Sequence, residues 1–330
     1  MELGITTFAE LREAADAGQR LRDVVEEAVV AETSGLAVYG IGEHHRPDFA
    51  ASAPAVVLAA AATKTSEIAL TSAVTVLSSD DPVRVFQDFA TLDLISDGRA
   101  EIIAGRGSFT ESFPLFGYDL ADYDELFVEN LHLLLALRSG EPVTWSGHHR
   151  APLRDQMVYP RPERELPVWI GVGGNPESVV RAGLLGLPLV IAIIGGEPAR
   201  FAPLADLYRR ALEQGGHPPL PIAVHAHGYI ADTEQQAVAD FYPSYAEAMT
   251  KLGRERGWSP MTRDRFDAMR GPEGSLVLGN PEQVADKIAA MQSTLGIERF
   301  MLHISVGAME HDNVLGSIES LGSTVAPLLN

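Results

Sequence analysis

Eight short apolar segments, each followed by a stretch with helical spacing, predict a (β/α)8 TIM barrel for the 330-residue chain. Two further observations support that fold class. The strand candidates are apolar almost throughout, as expected of parallel strands covered by helices, and do not alternate with polar residues. The length suits eight such units in one unit, 1–330, with insertions. An open doubly wound sheet is the competing arrangement.

The elements follow in order. Leu3 to Phe8 is the first strand, and Leu21 to Thr33 has apolar residues at helical spacing (Leu21, Val24, Val25, Ala28, Val29). Leu36 to Gly42 is the second strand, followed by the Ala-rich helix Pro54 to Thr63. The β-branched run Ile68 to Leu77 is the third strand. Asp80-Asp81-Pro82 opens the helix Val83 to Ile95 with an acidic cap and a proline in the first turn. Ala100 to Ala104 is the fourth strand and Leu126 to Leu137 its helix. Val168 to Val172, Leu187 to Ile194 and Ile222 to Ile230 are strands five to seven, with helices at Pro176 to Leu185, Ala199 to Gln214 and Glu234 to Leu252. Pro281 to Ser293 is a further helix. Arg299 to Ile304 is the eighth strand, and Val314 to Leu328 the last helix. Three stretches rich in Gly, Pro and charge, about 107–122, 139–166 and 253–279, read as insertions, the first and last following strands four and seven.

Composition narrows the function classes. A net charge of −20 and a pI near 4.8 argue against nucleic acid and anionic membrane surfaces as partners. With no cysteine, disulfides, thiolate nucleophiles and thiolate metal sites are excluded. No apolar run approaches the ~20 residues of a membrane span, and Met1 to Thr7 lacks the pattern of a signal peptide. A cytoplasmic location is the expectation.

In a barrel of this kind the site lies at the C-terminal strand ends, and the polar clusters collect there. Glu43-His44-His45 ends strand two, and Arg106-Gly107-Ser108 follows strand four. Val172-Gly173-Gly174-Asn175-Pro176-Glu177-Ser178 follows strand five, Gly195-Gly196 ends strand six, His225 and His227 lie late in strand seven, and His303 and Ser305 end strand eight. Glycines that admit close backbone approach, followed by a helix N-terminus, suit an anion such as phosphate. The same residues also make an ordinary turn with Asn175 as cap, and both readings stand on the sequence. Arg106, between two glycines, carries the fork that matches phosphate, or is a surface arginine in a turn. His44 and His45 are neighbours on a strand and face opposite ways, so they do not form a metal pair. His225 and His227 share a face, which suits either a metal or a polar interior.

Taken together, "GIGEHH", "TSAVTVLSSDDPVRVFQDFATLDLISDGRAEIIAGRG", "FPLFGYD", "PVWIGVGGNPESVVRAGLLGLPL" and "GIERFMLHISVG" resemble the bacterial luciferase-like flavin monooxygenases, in order and over nearly the whole chain. The resemblance implies a barrel that uses reduced FMN, supplied by a separate NAD(P)H:flavin reductase. It reacts with O2 through a flavin C4a-peroxide on a small organic substrate; one branch uses F420 for hydride transfer. It implies a homodimer, His44 as acid/base beside the flavin, and Ala73, Val74 and Thr75 against its ring, with a cis peptide at Ala73–Val74. It assigns the flavin phosphate to Arg106 and the Gly173-Gly174 turn with Ser178 as helper, and gives Gly107, Val172 and Gly195 as further cofactor-binding residues. No resident metal is expected; a metal-dependent barrel hydrolase using His44, His225 and His227 is the alternative outside flavin chemistry. The luciferases carry a cysteine where this chain has Gly105, and their phosphate turn differs from Gly-Gly-Asn-Pro, so a light-emitting reaction on an aldehyde is not implied. The insertion 253–279, with Trp258, Met261 and Phe266, stands where the family carries a mobile lid.

Overall fold

A computed structural model describes every residue except Arg12, Ser108 and Asn330. The barrel strands are β1 (Glu2–Thr7), β2 (Val38–Ile41), β3 (Ala69–Ser72), β4 (Ala100–Gly105), β5 (Val168–Val172), β6 (Leu189–Ile193), β7 (Ile222–Ile230) and β8 (Arg299–His303). Each pairs in parallel with the next, and β8 pairs with β1 in the register Gly4↔Met301, Thr6↔His303, which closes the ring. The outer layer is α1 (Ala17–Thr33), α2 (Pro54–Ala62), α3 (Pro82–Ile95), α4 (Tyr123–Arg138), α5 (Pro176–Leu184), α6 (Ala202–Gly215), α7 (Glu234–Arg256), α8 (Arg263–Arg270), α9 (Pro281–Leu295) and α10 (His311–Ser320).

Local chemistry sets the helix starts. The Asp81 carboxylate accepts the amides of Val83 and Arg84 ahead of α3, and Asn175 accepts that of Ser178 ahead of α5. Two cores result. One lies between the sheet and the helices; the other fills the barrel with Val38, Ile103, Trp169, Val190, Ala223 and Met301. Below this plug, at the N-terminal end, Arg299 donates to Glu2 (2.6 Å) and twice to Glu101 (2.6 and 3.2 Å), and its guanidinium lies 4.4 Å over Trp169.

Several boundaries differ from the sequence expectation. The third strand does not run unbroken over 68–77. After β3 the Ala73–Val74 peptide is cis, and a short piece, Thr75–Val76, pairs with β4 alone. The Val74 side chain there fills the barrel interior: a Cβ on Gly105 would stand 2.6 Å from it, and one on Gly171 2.8 Å. Gly105 is therefore a packing requirement. α7 continues past residue 252 to Arg256, where Gly257 at φ 69° ends it. The stretch 253–279 also holds α8 and a parallel segment, Val277–Gly279, that extends the sheet along the end of β7. The stretch 139–166 carries a small antiparallel hairpin, Val143–Trp145 with Leu153–Gln156. The last helix is not continuous over 314–328. It loosens into a π turn at Leu321–Val325, where Gly322 crosses so close to Ser34 that a Cβ would meet its carbonyl oxygen at 2.1 Å. Among the described residues, no helix is long and apolar enough to cross a membrane.

Candidate active site

A cavity of about 920 Å³ opens at the C-terminal end of the barrel. Its walls come from the ends of β1, β5, β6, β7 and β8 and from α7, and its rim from the loops after β2 and β4. That size lies within the range of small-molecule and cofactor sites.

His44 stands at the end of β2 in an aromatic sheath. Its ring stacks on Phe49 (4.2 Å between centroids) and meets Phe8 (4.6 Å) and Phe109 (5.2 Å) edge-on. Its Nε2 is buried without a hydrogen-bond partner. Burial, with the charges of His303, His45 and Arg46, pushes its pKa down to about 3, so the imidazole is neutral at ordinary pH. His45 points the other way, although both imidazoles lie in the loop past the end of β2 at Ile41 and not on the strand itself. Its Nε2 bonds Glu43 at 2.9 Å, which raises its pKa, and its ring packs on Phe116. Glu43 also accepts the amide of Val76 at 2.9 Å, tying β2 to the piece after the cis peptide. A carboxylate and two imidazoles at one strand end thus divide into one unpaired ring and one structural ion pair.

Across the cavity, β1, β7 and β8 carry a bonded network. The Thr6 hydroxyl bridges His225 Nε2 (2.8 Å) and His303 Nδ1 (3.1 Å). His303 Nε2 donates to Glu10 (3.0 Å), and the Ser305 hydroxyl donates to the other Glu10 oxygen (3.1 Å). Glu10, His227 and His303 line the cavity, and the buried His227 Nδ1 has no partner. Burial, followed by the His303 charge, takes His225 down to about 3 and His227 well below its usual range. Phe8 separates the two sides, 4.6 Å from His44 and 4.1 Å from His303. Sequence reading placed His303 at the rim but missed Phe8 and Glu10. Glu10 follows the end of β1, so the strand-end rule applied to the first loop would have found it.

The remaining predicted residues divide. Gly173 and Gly195 line the cavity, with open space where a Cβ would project. Gly174, at φ 119°, makes the turn into α5. Ala73 and Val74 pack in the inner core, Thr75 donates to Ser72 (2.9 Å), and Val172 packs in the helix-side core. Ser178 is buried in the first turn of α5. Arg106 pairs with Asp124 and lies 5.3 Å over Tyr123, whose hydroxyl donates to the Gly107 carbonyl. The nearby positive charge of Arg106 adds to burial in lowering the pKa of Arg181, a second basic residue that sequence reading missed. Ser108 lies outside the described residues. For a metal, His44, His225 and His227 do not converge. Among the described residues, the one group of three such side chains with donor atoms within 4.8 Å of one another is Asp122, Glu125 and His149, away from this cavity.

Known proteins share this architecture. Residues 1–298 match the family model of the luciferase-like monooxygenases. The chain is 25% identical over 333 residues to 4-hydroxyprotoasukamycin monooxygenase of Streptomyces nodosus subsp. asukaensis, covering 96% of this chain and 88% of that one. It is 33% identical over 177 residues to the F420-dependent glucose-6-phosphate dehydrogenase of Amycolatopsis mediterranei, about half of each chain. The oxygenating constituent of 3,6-diketocamphane monooxygenase from Pseudomonas putida, solved with FMN, superposes with a TM-score of 0.83 at 19% identity over 100% of this chain and 99% of that one. The chain belongs to the luciferase-like monooxygenase family.

Proposed function

We propose that this enzyme is an FMN-dependent monooxygenase acting on a small organic substrate. The observation that carries the reading is the neutral, unpartnered His44 imidazole in its aromatic sheath beside a 920 Å³ cavity whose far wall is open at Gly173 and Gly195. A planar ring needs a dry apolar slot, which Phe8, Phe49 and Phe109 supply, and a phosphate needs donors, which Arg106 supplies once it leaves Asp124, so the residues present fit such a cofactor. Reduced FMN, when bound, supplies the two electrons that activate O2. In this reading the Gly173-Gly174 turn, Ser178 and Arg106 bind its phosphate, with Arg106 released from Asp124. His44 Nε2 holds or passes a proton at the reacting end. Phe8, Phe49 and Phe109 exclude water there, which strengthens every polar contact inside. The solved P. putida relative is named as an oxygenating constituent, which supports a separate reductase as partner here. Exposed Val56 on α2 and Leu94 and Ile95 on α3 support a homodimer paired through those helices.

The F420-dependent relative favours a second reading, hydride transfer without oxygen insertion. Anaerobic titration of the purified chain with reduced FMN and with reduced F420 separates the two. FMN binding at least about tenfold tighter, or about 1.4 kcal/mol, is the expected result. Tighter F420 binding would overturn the oxygenase reading in favour of hydride transfer.

A further inference from the structure

The Glu10 side of the cavity has donors and acceptors that the cofactor reading leaves unused. Glu10 is held on two sides, by His303 Nε2 and by the Ser305 hydroxyl. A carboxylate has about four acceptor positions, so it retains capacity toward the cavity it lines. His227, 5% exposed, lines the same space and keeps a buried Nδ1 with no partner. Buried polar atoms are nearly always satisfied, so an unpaired one on a side chain that lines a cavity marks a place for a water or a ligand group. The surrounding wall is apolar and soft: Phe49, Phe109, Trp258, Met249, Met269 and Met309. Methionine and aromatic side chains of this kind accommodate a hydrophobic body of variable shape.

We propose that Glu10 and His227 form the head-group subsite for the substrate, and that the substrate is an apolar molecule with one neutral hydroxyl of phenol or enol type. The hydroxyl donates to Glu10 and meets His227 Nδ1, and the apolar body lies along the Met and aromatic wall. Phe8, in contact with both His44 and His303, separates this subsite from the His44 side by the thickness of one ring. A cationic head gains less at Glu10 itself, whose carboxylate already faces the His303 imidazole; the rest of the lining carries both signs, Asp48, Asp240, Glu247 and Glu310 with Arg46, Lys251, Arg256 and Arg265, and does not decide between them. This inference deepens the monooxygenase reading and rests on it for the meaning of "substrate"; the binding it describes does not depend on the cofactor.

Three probes of matched shape test it: 4-propylphenol, 4-propylanisole and 4-propylbenzylamine, titrated by calorimetry into the full chain with and without FMN. The phenol is expected to bind about tenfold or more tighter than the anisole, the usual effect of one hydrogen bond to a charged group, and to keep that preference with FMN present. Glu10→Gln, nearly the same shape, is expected to remove most of the preference and leave FMN affinity unchanged. His227→Phe is expected to reduce it by a smaller factor. Equal binding of phenol and anisole, tighter binding of the amine, or a preference that survives Glu10→Gln would each overturn the subsite. So would failure of all three probes to bind a folded chain. A chain that shows the phenol preference but binds no flavin keeps the subsite and loses the monooxygenase reading.

Discussion

At the N-terminal end of the barrel, Arg299 gives three bonds to two carboxylates and stacks on Trp169. At the C-terminal end, His44 and His227 each keep a buried ring nitrogen with no partner. Both ends bury polar groups, so burial alone does not distinguish them. Satisfaction does. A buried charge with every partner in place holds strands together, whereas an unpaired nitrogen beside a cavity adds nothing to folding and is free for a ligand. The base therefore reads as the part that maintains the barrel and the rim as the part that works, the division expected of parallel αβ barrels.

The sharpest way to break this comparison is to cut the base. Arg299→Ala leaves Glu101, whose side chain is 12% exposed, without its partner and is expected to cost about 3 kcal/mol in denaturant unfolding. A loss below 1 kcal/mol would make the base no more structural than the rim. The converse change, His44→Ala, is expected to spare the fold and lower turnover by about 10²-fold or more, as loss of a proton-transfer group does; steady-state rates at saturating reduced FMN measure it, and unchanged turnover removes His44 from the reaction. Arg106→Ala is expected to weaken reduced-FMN binding by about 1.5–3 kcal/mol, the contribution of a charge-assisted bond; an unchanged Kd reassigns the phosphate, with Arg181 the next candidate.

The effect smallest per step is in pH, about 1.4 kcal/mol per pH unit for each group. His44 and His225 titrate near pH 3 in the folded chain and near 6.5 when unfolded. Between those values the unfolded state binds the extra protons, so stability falls as the pH drops through that window and is fully kept above about 6.5. His44→Gln is expected to flatten this slope by about 1.4 kcal/mol per pH unit between pH 4 and 6. An unchanged slope would mean that His44 is solvated in solution.

Particular residues show why part of this was legible in sequence and part was not. Continuous apolar strands announce a parallel barrel, and the strand-end rule then puts His44, Gly173, Gly195 and His303 on one rim. Local patterns also fix caps: Asp81 and Asn175 do what their types and positions require. What failed was information carried by distant pairs. Glu10 meets His303 across 293 residues, and no local pattern marks the pair. Gly105 reads as the place of a lost cysteine until Val74 is seen filling the space beside it. Arg106 stands in the turn after β4 as read, but no local pattern marks its partner there, Asp124 of the next helix. The end of α7 and the segment Val277–Gly279 were hidden because Gly- and charge-rich stretches read as loop.

The most direct test of the division between the two ends is amide hydrogen exchange on the full chain, with and without reduced FMN under anaerobic conditions. The account predicts new protection at 42–46, 104–109 and 172–178, with 2–5, 99–101 and 297–300 already protected and unchanged. Protection that appears at the base, or none at the rim while the flavin is bound, would contradict it.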